Sequence, residues 1–288
     1  MEFIITLVNG LSLGGIYAMI ALGYTMVYGI AKMLNFAHGD IIMVGGYTIL
    51  LFLAVNPIVA IIASVIFCCI MGIVIERVAY KPLRGASPLA VLITAIGVSY
   101  LLQSFAQLCF GSAPKFVIVA NLGVIRIGEM SIGYSTIITL VCSIIIMVGL
   151  NMFVKFTKTG RAMVAVSEDK GAAQLMGINV NFIIMITFAI GSALAALASL
   201  FFLLKAPSIM PTFGSLPGIK AFTAAVIGGI GSIPGAMVGG ILLGVIECVA
   251  QAIPAIAPYT VAIEFTILIV ILLVKPTGLL GKKRREKV

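Results

Sequence analysis

The chain has no tryptophan, a single histidine and very little charge: only 9% of its 288 residues are Asp, Glu, Lys or Arg. Ordinary soluble domains are roughly a quarter charged. With 62% hydrophobic residues and a mean hydropathy of +1.26, the chain carries more apolar surface than a soluble fold can bury, so it reads as a polytopic membrane protein. The lone histidine, His38, has no nucleophile–base arrangement around it, which removes hydrolytic chemistry. No phosphate-binding G-x-x-x-x-G-K-[ST] stretch occurs, and residues 214–220 (GSLPGIK) do not fit that spacing. The five cysteines, Cys68, Cys69, Cys109, Cys142 and Cys248, lie in apolar runs without metal-type spacing, and read as small buried membrane residues. No metal or cofactor is therefore expected on this chain.

The sparse charges are unevenly placed. Eighteen basic and nine acidic residues leave a net charge of +9. The basic residues cluster at the ends of apolar runs: Arg77, Lys81 and Arg84; Lys155, Lys158, Arg161 and Lys170; then Lys275, Lys282, Lys283, Arg284, Arg285 and Lys287. Cytoplasmic loops look this way under the positive-inside rule, so the charge speaks for orientation and against a nucleic-acid partner. Residues 111–133 then fall outside, with Lys115, Arg126, Lys205 and Lys220 as external exceptions. The opening segment MEFIITLVNG has no Lys or Arg before its apolar run and is expected to be an uncleaved first span. Residues 1–288 read as one transmembrane domain, with a cytoplasmic loop at 155–181 and a basic cytoplasmic tail at 276–288.

A span needs about 20 apolar residues. Candidates are 3–30, 41–55, 58–75, 89–110, 134–153, 182–204, a short 218–230, 236–251 and 259–274, which gives an all-α bundle of about eight to ten segments, some short or broken. Two apolar segments contain glycine-punctuated breaks: 35–40 (NFAHGD) before IIMVGGY, and 228–235 (GGIGSIPG) before AMVGGILLG. Irregular backbone survives at membrane depth only where protein or water covers it, so paired breaks point to a transport pathway. Both have the order helix, break, helix with a Gly-Gly pair, which suggests a duplication with both copies in the same sense. Glycines four apart, at 10 and 14, at 231, 235 and 239, and at 240 and 244, predict close helix packing.

Polar groups at membrane depth are the pathway and gating candidates. Asn35, His38 and Asp40 bracket the first break, and Gly231 and Pro234 mark the second. Asp40 could equally cap the following helix, and His38 could bond carbonyls freed by the break. Ser99, Gln103 and Gln107 recur every four residues as a polar stripe, suited either to pore lining or to interhelical hydrogen bonds. Glu247 and Glu264 are intramembrane carboxylates that fit either a pathway or a buried salt bridge. In the loop, Ser167 is a candidate N-cap, Glu168 and Asp169 suit a helix start, and Gly177 suits its end. A short helix over 168–176 should therefore lie outside the membrane, with Leu175 and Met176 on an apolar face suited to a partner groove.

Four stretches carry a family likeness: 10–29 (GLSLGGIYAMIALGYTMVYG), 34–40 (LNFAHGD), 167–170 (SEDK) with 175–178 (LMGI), and 228–235 (GGIGSIPG). In these the chain resembles permease subunits of the branched-chain amino acid family of ABC importers, of the shorter LivH type. It departs from the pattern at Gly171 and Gln174, where a charged pair is common. The resemblance implies an inner-membrane, non-catalytic ABC importer permease for leucine, isoleucine or valine, with urea or short amides as an alternative. It implies as partners a second homologous permease (a heterodimer), two cytosolic ATPases that use ATP and Mg, a periplasmic amino-acid-binding protein and membrane lipid. It also makes 167–178 resemble the coupling helix that seats on the ATPase. An ion-coupled secondary transporter is the rival class; it would need its own coupling carboxylates, for which Asp40, Glu247 and Glu264 are candidates.

Overall fold

The computed structural model describes residues 2–120, 122–127 and 130–281. The expected basic tail lies outside the described residues from Lys282 onward. Eleven α-helices form the described chain: α1 (Glu2–Ala31), α2 (His38–Phe52), α3 (Pro57–Ile75), α4 (Pro88–Phe110), α5 (Tyr134–Phe156), α6 (Lys158–Glu168), α7 (Lys170–Leu175), α8 (Val180–Lys205), α9 (Ser215–Gly228), α10 (Ile233–Ala252) and α11 (Thr260–Val274). Helix starts follow local chemistry. Asn56, Ser87, Asn179 and Ser232 each accept a backbone N–H from the first turn they precede, and Pro57, Pro88 and Pro234 stand just inside.

Seven helices are long and apolar enough to cross a membrane. α2 and α9, with 15 and 14 residues, are not. At 1.5 Å per residue they reach about 21 to 22 Å against a hydrocarbon core of about 30 Å. These nine apolar helices match the expected segments, with two of them too short to span.

The ends of the bundle identify themselves. Arg77, Lys81, Arg84, the 155–181 loop and Lys275 share one end: Lys170 reaches the end of α1, Arg84 bonds Asn181, and Leu280 N–H bonds Gly228 O at 2.9 Å. This is the cytoplasmic end by charge. The opposite end carries two small antiparallel pairs. β1 (Lys115–Phe116) pairs with β4 (Ser208–Ile209), and β2 (Val124–Ile127) with β3 (Met130–Gly133).

α2 and α9 enter the bundle from opposite ends. α1 stops at the cytoplasmic end with Lys32 in the left-handed region (φ 61°) and its ammonium on Gly29 O at 2.6 Å. Residues 32–37 climb back until the His38 ring lies against Gly23, about 12 Å above Ala31. α2 then continues outward. On the other side, α8 ends at the external end, Ile209 lies against Gly46, and the chain descends to Gly214, which touches Gly39. α9 continues from there to the cytoplasmic end.

The unit α1–α2–α3 is thus repeated, upside down, by α8–α9–α10. α1 packs along α10 as α8 packs along α3, and α2 lies on α3 and α8 as α9 lies on α10 and α1. The same-sense duplication expected from the sequence is not what forms. The counterpart of 32–37 is 206–214 rather than 228–235. Residues 206–214 (APSIMPTFG) read as a connection between the spans 182–204 and 218–230, and 218–230 looks like a crossing helix of its own.

The α1–α10 seam is backbone against backbone. A Cβ at Gly14 would lie 2.6 Å from Ile241 Cα, and one at Gly244 would strike Gly14. Lipid offers no hydrophobic drive between helices, so such close approach supplies the attraction. Gly244→Ala should destabilise the detergent-purified protein by about 1–3 kcal/mol through overpacking. Gly97→Ala, where a Cβ meets nothing within 4 Å, should leave the thermal midpoint unchanged. Thermal unfolding of the two variants checks this.

Candidate functional site

The helix starts of α2 and α9 face each other at mid-depth. A Cβ on Gly39 would stand 2.7 Å from Gly214 O, and one on Gly214 would strike the Gly39 carbonyl, so only glycine fits at either position. The first four N–H groups of a helix lack partners within it, and both starts carry the positive end of a helix dipole. Around this junction opens a cavity of about 250 Å³, lined by Tyr24, Asp40, Ser99, Tyr100, Gln103 and Ser215 among others.

Gln103 of α4 ties the walls together. Its Nε2 lies 2.8 Å from Asp40 Oδ1 and 3.2 Å from both Ser99 Oγ and Ser215 Oγ. Asp40 is 2% exposed and has no ion-pair partner among the described residues. Its charge is met by an amide, nearby hydroxyls and two helix starts, an arrangement open to a cationic group.

The structure sorts the predicted residues. Asp40, Ser99 and Gln103 meet in the cavity. Asp40 is not an N-cap: it sits within the first turn of α2, whose start has no side-chain cap. Gln107 leaves the site, because each step of four residues rotates the stripe by about 40°, and its side chain is exposed. His38 packs edge-on to Tyr24 with ring centroids 4.8 Å apart, and its Nε2 is buried without a hydrogen-bond partner rather than on a carbonyl of the break. Asn35 accepts from Tyr80 at 2.8 Å, anchoring the break to a π-helical turn, Glu76–Tyr80. Gly231 (φ 92°) and Pro234 shape the turn between α9 and α10, with Gly231 against Gly29, and are not in the cavity wall.

Glu247 and Glu264 form a buried network away from the cavity. Lys220 of α9 lies 2.7 Å from Glu247 and 3.1 Å from Glu264, while the Tyr17 hydroxyl donates to Glu247 at 2.7 Å. Lys220 is 4% exposed, so its expected external position is corrected: the lysine is drawn inward by two carboxylates it neutralises. The network fastens α9 to α10, α11 and α1.

The cytoplasmic loop also differs in detail. Thr157 caps α6 by accepting Gly160 N–H at 2.9 Å, and Met163 and Val166 bury its apolar face. That amphipathic run carries the helix through Ser167 and Glu168, so neither starts the short helix. Ser167 instead donates to Val164 O at 2.7 Å. Asp169, extended at φ −151°, breaks the run and caps α7, accepting Gly171 N–H at 2.8 Å and Ala172 N–H at 3.0 Å. Gly177 ends the turn at φ 79°. Leu175 and Met176 are 91% and 82% exposed. Lys170 reaches from α7 to donate to Ala31 O at 3.0 Å, a cation on the C-terminal carbonyl of α1. Burial, and then the Arg84 guanidinium, pull its pKa below the ordinary lysine value.

The sequence model of a family described as "Branched-chain amino acid transport system / permease component" matches residues 6–272. The chain belongs to this permease family. It is 45% identical to the high-affinity branched-chain amino acid transport system permease protein BraD of Pseudomonas aeruginosa, covering 98% of this chain and 97% of that one. It is 39% identical to the permease protein LivH of Escherichia coli K12, over 99% and 98% of the two chains. The probable LivH of Methanocaldococcus jannaschii is 30% identical over 91% and 88%. A chain of PsaBC from Streptococcus pneumoniae in complex with Fab is similar at a TM-score of 0.49 and 15% identity, over 96% of this chain and 91% of that one.

This permease is thus a multi-pass protein of the bacterial inner membrane and a transport rather than a catalytic subunit. Sequence reading names neither Ser215 nor Tyr80, and it places Lys220 outside. Ser215 was within reach: residues 207–218 (PSIMPTFGSLPG) concentrate Pro, Ser and Gly between two apolar segments, a break signal. Gln103→Leu leaves Asp40 without its amide and should lower uptake about tenfold, the scale of one charge-assisted hydrogen bond. Gln107→Leu should transport normally. Uptake in proteoliposomes normalised to reconstituted protein distinguishes the two.

Proposed function

We propose that this permease forms one half of the translocation pathway of an ATP-driven importer for leucine, isoleucine and valine. It works with a second homologous permease, two cytosolic ATPases that use ATP and Mg, and a periplasmic amino-acid-binding protein. The names of its full-length relatives support the substrate class. The cavity chemistry agrees with an amino acid. Asp40 offers a carboxylate to the ammonium group, and the positive ends of the α2 and α9 dipoles face the side where the carboxylate would lie.

One observation carries the reading of α7 as the coupling helix. It presents two almost fully exposed apolar side chains, Leu175 and Met176, at the cytoplasmic end, while Lys170 on the same helix holds the end of α1. The helix is too short to be stable alone and is set in place by the Asp169 cap and by a groove partner. A displacement of α7 would pass through Lys170 to Ala31, then along 32–37 to the start of α2, where Asp40 lies. ATP hydrolysis at the partner is thereby given a route to the junction of the half-helices.

In the reconstituted complex, Leu175→Asp with Met176→Asp should abolish ATPase co-purification and ATP-dependent leucine uptake. Lys170→Met should keep the ATPases bound but lower leucine transported per ATP hydrolysed about tenfold, the effect of roughly one hydrogen bond lost to a charged group. Intact association and uptake in the Leu175/Met176 variant would refute the coupling role. Uptake abolished by a protonophore and insensitive to ATP depletion would favour the ion-coupled alternative.

A further inference from the structure

A second cavity, of about 190 Å³, opens at the cytoplasmic end between the π-helical turn Glu76–Tyr80 and the start of α8. Arg77, Lys81 and Arg84 line it with Asn179 and Asn181, against a single carboxylate, Glu76. Three cations and one anion leave the wall at +3 − 1 = +2. Arg84 bonds both Glu76 and Asn181, yet its Nε is buried without a partner. The Arg77 guanidinium donates to the Met185 sulfur at 3.7 Å, and no carboxylate lies within ion-pair distance of Arg77 or Lys81 among the described residues. The transport pathway uses none of these groups.

We propose that this cavity binds the phosphate of an anionic phospholipid from the cytoplasmic leaflet. Charge selects a phosphate: two unpaired cations and one free guanidinium N–H converge with two side-chain amides, and arginine donates to phosphate oxygens in a matched fork. The surroundings select a lipid. Phe67, Ile70 and Val74 lie at helical spacing on the α3 face that ends in Arg77, and all are exposed, as is Phe182 in the cavity wall. An acyl chain laid along that stripe has its headgroup at the basic cavity, the usual arrangement for anionic-lipid sites at the cytoplasmic interface. Headgroup binding also loads the π-helical turn whose Tyr80 holds Asn35, so an anionic lipid here steadies the anchor of the first break.

The full complex, purified in detergent and supplied with equal phosphatidylglycerol and phosphatidylcholine, can be examined by native mass spectrometry. The wild type should retain phosphatidylglycerol in preference. Arg77→Gln with Lys81→Gln should weaken retention at least tenfold, taking about fivefold for each cation removed near an anionic surface. Arg77→Lys, which keeps the charge but loses the fork, should weaken retention less than the double neutralisation. Lys155→Gln with Lys158→Gln makes the same charge change elsewhere at this end and should leave retention unchanged. All variants should elute as intact complexes, since Arg77 and Lys81 are exposed. No preference for phosphatidylglycerol in the wild type, or equal loss in the Lys155/Lys158 variant, would overturn the proposal. Displacement of the lipid by millimolar glycerol 3-phosphate would reassign the cavity to a free anion and overturn the lipid site.

Discussion

Helix ends inside a bilayer leave N–H groups that lipid cannot satisfy, and this permease has two of them at the same depth. The turns that lead into them take up several of these donors: His38 N–H bonds Asn35 O at 3.1 Å, Asp40 N–H bonds Ala37 O at 3.1 Å, and Ser215 N–H bonds Thr212 O at 3.0 Å. The starts of α2 and α9 meet at Gly39 and Gly214, so closely that neither position tolerates a Cβ. Much of the remaining architecture exists to hold that junction. Residues 32–37 and 206–214 return from opposite ends to reach it, α1 and α8 supply the scaffold, and the Lys220–Glu247–Glu264 network fixes the far side of α9. The polar groups around the junction, Asp40, Gln103, Ser99 and Ser215, are tolerated there because they satisfy one another and border a cavity.

The junction also separates what a composition reading can find from what it cannot. Span-length helices were legible because hydropathy and glycine spacing are local, and four-residue periodicity marked Gly14 and Gly244 as packing positions without saying that they meet each other. The break at 35–40 was legible from glycine and polar residues within an apolar run. Its true partner was not. Residues 206–214 (APSIMPTFG) fall between two expected spans and read as an external loop, because nothing local shows that Ile209 is buried and that the segment descends to mid-depth. The inverted relation of the halves is a property of three-dimensional pairing and leaves little trace at this level of sequence similarity. Lys220 was misplaced for the same reason: a charge reads as external until its carboxylates, 27 and 44 residues away in sequence, are seen beside it.

At the cytoplasmic end the error was local competition. Ser167, Glu168 and Asp169 all favour helix starts, but the amphipathic run from Lys158 reaches past the first two, leaving Asp169 as the cap. The exposed Leu175–Met176 pair survived that correction because exposure of apolar side chains on a short helix does not depend on where the helix begins. Lys170 then joins this helix to Ala31, the last residue before the first break. The fold therefore places a surface suited to a partner, a hydrogen-bonded strut and a mid-depth junction in one continuous line.

On the proposed reading, the pathway opens and closes at this junction. This is tested most directly by thiol accessibility of Ser215→Cys in a complex whose Cys68, Cys69, Cys109, Cys142 and Cys248 have been replaced. Membrane-impermeant reagent is applied from either side in nucleotide-free and nucleotide-trapped states. A gate predicts labelling from one side in one state and from the opposite side in the other. Labelling that is absent in both states, or the same in both, would contradict it.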